Sequence, residues 1–182
     1  MILLPTFADA IASSRNPSLA RVGFWMIVAG LLILAGLIFR LVRTRKRTRE
    51  RELKDLLALT PSGFELAIAS LLHDLGYRHV EHVGRSNDLA ADIRAVAPQG
   101  HHTVIQCKRL VPGSRVGSPE IQKFIGMAKI HHGADHGIFV TTADFTGPAI
   151  ELAQQHGIAL WEGAHLAATL AKLHNPAKRT AA

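Results

Sequence analysis

The chain has 182 residues, of which 48% are hydrophobic and 19% charged, a composition that excludes a disordered protein. Its single cysteine, Cys107, excludes an intramolecular disulfide framework and a cysteine-based zinc cluster. The formal charge of +7 is uneven: residues 1–59 carry net +6 and residues 60–174 net −1, so the globular part offers no bulk basic surface to nucleic acid.

Residues 1–21 form a short segment without a clear period. Val22 to Phe39 then runs 18 residues without a charge. As a helix this is roughly 27 Å long, and extension to Val42 brings it to about 31 Å, the thickness of a hydrocarbon core. Trp25 stands near the first end, where an indole favours the membrane interface. A buried core helix would show a polar face, and a cleaved signal peptide would end at a small-residue site rather than in a basic run. The pattern predicts one transmembrane helix over 22–42. Eight Lys/Arg follow between Arg40 and Lys54, against Arg15 and Arg21 upstream. The positive-inside rule therefore puts the C-terminal side in the cytoplasm, with the protein in the cell (inner) membrane. Residues 43–57 are read as a basic juxtamembrane linker that meets anionic lipid headgroups.

Residues 58–173 carry the periodicities of a folded domain, and 174–182 read as a disordered tail. Thr60-Pro61-Ser62 opens a helix. Phe64, Ile68, Leu71, Leu72 and Leu75 form its apolar stripe, and Gly76 ends it. Strands follow over Tyr77–Val83, within Asp88–Val96, and over His102–Leu110, the last two joined by a turn at Pro98-Gln99-Gly100. A Gly/Pro loop leads to a helix from Ser118 through Ala128. Gly137–Thr141 is a short buried strand, Phe145–His156 a helix, Ile158–Trp161 a strand and Ala164–Leu173 a last helix. A meander followed by βαβ crossovers predicts an α/β domain with a mixed central sheet flanked by helices.

The chemistry concentrates on the third strand. Side chains alternate along a strand, so Gln106 and Lys108 share one face and Ile105, Cys107 and Arg109 the other. A hairpin centred near Gln99 sets Asp92 beside Gln106 and close to Lys108. A carboxylate, an amide oxygen and an ammonium then converge, a set suited to phosphodiester hydrolysis. Oxygen ligands hold a hard cation, which neutralises phosphate charge and acidifies a bound water. The ammonium stabilises developing negative charge. Glu65 borders the apolar stripe of the first helix and points towards the sheet or its edge. Cys107 reads as a small buried apolar residue and not a nucleophile.

Gly63-Phe64-Glu65, the stretch from Asn87 to Ile93 with Asp88 and Asp92, and Gln106-Cys107-Lys108 resemble the Mrr-like branch of the restriction-endonuclease-like, PD-(D/E)xK nucleases. The resemblance covers roughly residues 58–172 and continues through Gly137–Thr146 and Ile158–Leu166. It implies the restriction-endonuclease-like core and cleavage of DNA, typically foreign or modified, with Mg²⁺ (or Mn²⁺) as cofactor. By position, Asp92 is the metal-binding acid, Gln106 replaces the second acid, Lys108 is the catalytic lysine and Glu65 the helix-borne acid. The main-chain carbonyl of Cys107 is a further metal ligand. Asp88, Thr141 and Thr142 are read as supporting residues. Relatives of this fold often act as homodimers. Two departures stand out: Leu89 and Ala90 lie where the family often has glycines, and Gln106 is neutral and so a weaker ligand than glutamate. The neutral glutamine and the near-neutral domain leave open two alternatives, a catalytically degenerate nucleic-acid-binding protein and a non-enzymatic membrane scaffold.

Overall fold

The computed structural model describes residues 17–83, 91–111 and 113–174. The chain divides into two units, Met1–Lys46 and Arg47–Ala182.

Helix α1 (Pro17–Ala58) begins in the first unit. Phe24, Trp25, Met26, Leu32 and Ile33 are all more than half exposed, and among the described residues of the apolar span none is buried. The sequence pattern ends this helix at Val42 and makes 43–57 a linker. The helix instead continues without a break to Ala58. No glycine or proline falls between Gly36 and Thr60, and Arg, Lys, Glu and Leu are strong helix formers. Glu50 and Lys54 also stand at i, i+4 spacing, in the favourable order.

In the second unit, the end of α1 belongs to the folded domain. Leu56 is buried. The Leu57 carbonyl accepts a hydrogen bond from Arg109 Nη1 at 3.1 Å, and Glu52 Oε1 lies 3.0 Å from His174 Nδ1. Helix α2 (Pro61–Asp74) starts where expected. Thr60 caps it by accepting the Gly63 N–H at 3.0 Å, and Pro61 fits the first turn. Gly76 takes φ +87° to turn the chain into the sheet, a left-handed conformation that favours glycine.

Five strands form the main sheet: β1 (Arg78–His82), β2 (Ile93–Val96), β3 (His102–Lys108), β5 (His136–Thr141) and β7 (Ile158–Trp161), in the order β1-β2-β3-β5-β7. The first three are antiparallel neighbours, and β3, β5 and β7 run parallel, so the sheet is mixed as predicted. Two short strands, β4 (Arg115–Val116) and β6 (Asp144–Phe145), pair in parallel as a second sheet that the sequence pattern does not reveal. Two-residue strands are too short to show a period.

Alternation along the strands divides the core. Ile93, Ala95, Ile105, Cys107, Ile138 and Val140 face α2 (Phe64, Ile68, Leu71, Leu72), Leu56 and Leu166 of α5 (Gly163–Leu173). Val104 and Phe139 face the opposite cluster with Ile121 and Phe124 of α3 (Ser118–Gly126) and Ala149 and Ala153 of α4 (Gly147–Gln155). The expected single helix from Ser118 through Ala128 changes character after Gly126: Met127–His131 is a π-helical turn. A Cβ at Gly137 would lie 2.8 Å from Ile158 Cδ1 and 3.0 Å from the Phe124 ring, so a larger residue there would make those side chains shift.

Candidate active site

The hairpin between β2 and β3 has the register that symmetry about Gln99 requires, with Ile93 opposite Ile105. Asp92 immediately precedes β2 and its N–H donates to the Ile105 carbonyl at 2.9 Å. Ile93 and Ile105 belong to the α2 side of the core, so Asp92 and Gln106 fall on the α3 side, together with Lys108.

Asp92 and Gln106 are in direct contact: Gln106 Nε2 donates to Asp92 Oδ2. The same oxygen accepts the Cys107 main-chain N–H at 2.6 Å. Both donors come from β3, and they fix the carboxylate at the end of the β2–β3 ladder. Lys108, one residue on, carries its ammonium to Glu120 Oε1 on α3 at 2.7 Å. The Glu120 carboxyl is held below the usual carboxylate range, chiefly by that hydrogen bond from Lys108.

Glu65 projects from α2 at the edge of the sheet, with its side chain 18% exposed. His82 Nε2 meets Glu65 Oε2 at 2.6 Å. His82 is the last residue of β1 and pairs with Ile93, while Val83 N–H donates to the Asp92 carbonyl at 2.8 Å. The end of β1 thus links the helix-borne acid to the strand that carries Asp92. Both carboxylates act on Cys107. Burial pushes its thiol well above the ordinary value, and the negative charges of Asp92 and Glu65 push it further the same way. Cys107 is 8% exposed and packs in the α2-side core, which accords with a small apolar residue and leaves its main-chain atoms as its polar contribution.

Thr141 and Thr142 are buried at the end of β5, and their hydroxyls serve the main chain. Thr141 Oγ1 donates to the Lys108 carbonyl at 2.8 Å and accepts the Ala143 N–H at 3.2 Å. Thr142 Oγ1 donates to the Leu110 carbonyl at 2.7 Å and accepts the Leu110 N–H at 2.8 Å. They fasten the end of β3, where Lys108 sits, to its parallel neighbour. Asp88, with Leu89 and Ala90, lies outside the described residues.

Two side chains at the site escape a reading of the sequence, Glu120 and His82. Ser118-Pro119-Glu120 marks a helix start, but nothing in the spacing says that this start lies over β3. His82 ends a strand whose register only the sheet supplies.

The donor chemistry fits a hard divalent cation. Asp92 brings a carboxylate, Gln106 carries an amide oxygen besides the Nε2 that meets Asp92, and Cys107 carries a main-chain carbonyl. Among the described residues no cluster of three or more His, Cys, Asp or Glu is placed to hold a metal.

Comparison with known proteins identifies the family and the fold. A family model described as Restriction endonuclease, the Mrr catalytic domain, matches residues 56–170. The type IV methyl-directed restriction enzyme EcoKMrr of Escherichia coli (strain K12) is 34% identical over 129 residues, covering 67% of this chain and 41% of that protein. This chain therefore spans about two fifths of that relative's length. Among solved structures, the DNA modification-dependent restriction endonuclease AspBHI superposes with a TM-score of 0.57 at 17% identity, covering 70% of this chain and 36% of its own. The MspJI restriction endonuclease in complex with a 27-mer oligonucleotide gives 0.51 at 23% identity, covering 70% and 31%. At these identities the two structures establish a shared fold, the restriction-endonuclease-like core. With its catalytic-domain model matched over most of the second unit, the chain belongs to the Mrr restriction-endonuclease family.

Proposed function

We propose that this chain is a membrane-anchored, Mg²⁺-dependent DNA endonuclease that hydrolyses phosphodiester bonds. The observation that carries the reading is the contact of Asp92 with Gln106 and the Cys107 N–H, on the same sheet face as Lys108. Asp92, Gln106, the Cys107 carbonyl and Glu65 would hold the cation. When bound, it supplies charge neutralisation at the scissile phosphate and a water acidified towards neutral pH. Lys108 donates hydrogen bonds to the phosphate oxygen on which charge develops. The two donors on Asp92 Oδ2 aim the carboxylate before substrate arrives, and His82 does the same for Glu65. Cys107 remains a neutral thiol and takes no part in proton transfer.

The exposed apolar span of α1 serves as the anchor, and the basic residues after it set the domain on the cytoplasmic side, against anionic headgroups. A nuclease held there meets DNA at the inner membrane surface. The named relatives are methyl-directed and modification-dependent. Restriction of foreign or modified DNA is accordingly the role we assign, with a homodimer as the arrangement that cuts both strands.

The deciding experiment is plasmid nicking by the full chain in detergent, with Mg²⁺ and with chelator, comparing wild type with Asp92→Ala and Lys108→Ala. Metal-dependent nicking lost in both folded variants is expected. Salt-sensitive DNA binding without nicking would instead mark a degenerate binding protein, the reading that the neutral Gln106 favours.

A further inference from the structure

Lys108 is held at both ends by groups outside the hairpin that carries it. At its root, the main-chain carbonyl accepts the Thr141 hydroxyl at 2.8 Å. At its tip, the ammonium donates to Glu120 Oε1 at 2.7 Å. Glu120 is itself aimed. It sits in the first turn of α3, and its second oxygen accepts the Gly117 main-chain N–H at 3.2 Å. One carboxylate thus ties the start of a helix to the end of the strand that bears Lys108.

An ammonium has three donors, and the contact with Glu120 uses one. A lysine side chain without an anchor spreads its charge over many rotamers, which is poor preparation for a transition state that requires donors in fixed positions. Both side chains are partly exposed (36% for Lys108, 39% for Glu120), so the pair borders solvent. An ion pair this exposed contributes little to stability. What the geometry supplies is orientation.

We propose that Glu120 is a positioning residue for phosphodiester cleavage: it fixes the Lys108 ammonium so that its remaining donors face the scissile phosphate on the Asp92–Gln106 side. The inference rests on the nuclease reading above and extends it to a residue on another element. Glu120 touches neither substrate nor metal in this scheme and acts only through Lys108.

The test is steady-state cleavage by the detergent-solubilised full chain with Mg²⁺, for wild type, Glu120→Gln and Glu120→Asp. The glutamine keeps an oxygen for the Gly117 N–H but loses the charge that holds the ammonium. The aspartate keeps the charge on a shorter arm. We expect Glu120→Gln to lower kcat by roughly 10- to 100-fold, the usual effect of removing an outer partner of a site. KM and Tm should stay at wild-type values, and Glu120→Asp should recover part of the lost kcat. Wild-type kcat in a folded Glu120→Gln overturns the proposal and leaves the nuclease reading intact. A loss of kcat matched by a loss of Tm in both variants also overturns it, since Glu120 is then a helix cap alone. Absence of Mg²⁺-dependent cleavage by the wild-type chain removes the nuclease reading and this inference together.

Discussion

The Asp92 carboxylate accepts the main-chain N–H of Cys107 at 2.6 Å, one step beyond the bond that its own N–H makes to the Ile105 carbonyl at the end of the β2–β3 pairing. A side chain there completes the sheet and presents its charge at the sheet end in one act. Asp92→Asn keeps the shape and loses the charge. Cleavage should fall at least about 100-fold at every Mg²⁺ concentration, and the weakened charge-assisted bonds should cost about 1.5–3 kcal/mol of stability. Nicking assays across a metal titration, with thermal unfolding alongside, check both. Near-wild-type nicking at any metal level would remove Asp92 from the reaction.

Thr141 is fully buried, and its hydroxyl holds the Lys108 carbonyl. Thr141→Val preserves the volume and leaves that carbonyl and the Ala143 N–H without the hydroxyl. The expected cost is about 1–3 kcal/mol, the penalty for unsatisfied buried polar groups. Cleavage should fall as well, since the root of Lys108 loses its fastening. Chemical denaturation reads the first effect and a cleavage rate the second. An unchanged unfolding midpoint would contradict the argument.

Gly163 opens α5 directly against the main chain of Thr142, where a Cβ would lie 2.4 Å from the Thr142 carbonyl oxygen. The Thr142 side of that contact is backbone and the Cβ is fixed to the helix start, so Gly163→Ala must displace one main chain or the other. Overpacking of this kind costs on the order of 1–3 kcal/mol. Thr142 clasps both polar main-chain groups of Leu110, so the displacement reaches the segment after Lys108. A midpoint equal to wild type in urea would show that the helix start can shift freely.

Cys107 should be a slow thiol. Burial and the neighbouring negative charges of Asp92 and Glu65 raise its pKa, so it stays protonated at neutral pH, and only the thiolate reacts readily. Alkylation of the native chain should be far slower than after unfolding. The sign for stability follows from the same shift. Above the ordinary thiol pKa the unfolded chain gives up this proton while the native chain keeps it, so the contribution of Cys107 to stability declines as pH rises. Cys107→Ala should retain cleavage, because the atom assigned to the site is a main-chain carbonyl. Rapid alkylation of the folded chain, or loss of cleavage in a folded Cys107→Ala, would reject this account.

The full chain should sediment with membranes and resist alkaline extraction. A reporter at the C-terminus should read as cytoplasmic. Replacing Arg43, Arg45, Lys46, Arg47 and Arg49 with glutamine should weaken or invert that orientation, as measured by protease protection of intact spheroplasts. A wild-type chain recovered in the soluble fraction would refute the anchor.

Much of the candidate site's geometry is legible because it is local. Asp92 and Gln106 lie symmetrically about the Pro98-Gln99-Gly100 turn, and a hairpin permits few registers once its turn is set. The period of two then places Gln106 and Lys108 on one face and buries Cys107 on the other. The helical stripe points Glu65 towards the sheet or its edge, and it lies at the edge beside His82. Composition suggests a linker after the apolar span, but α1 continues through the basic run, because its residues favour a helix and glycine and proline are absent.

By itself the sequence determined the apolar span and its charge asymmetry, the alternating faces of β3, the cap that starts α2 and the place where α3 begins. These depend on neighbours within a few residues, where covalent geometry leaves a small menu. The tertiary structure alone decided that α3 crosses the sheet with Glu120 over Lys108, that β5 lends Thr141 and Thr142 to the end of β3, and that His82 meets Glu65. Those pairings join residues 12, 33 and 17 positions apart, on elements whose mutual placement follows from how their apolar faces pack and not from any spacing along the chain.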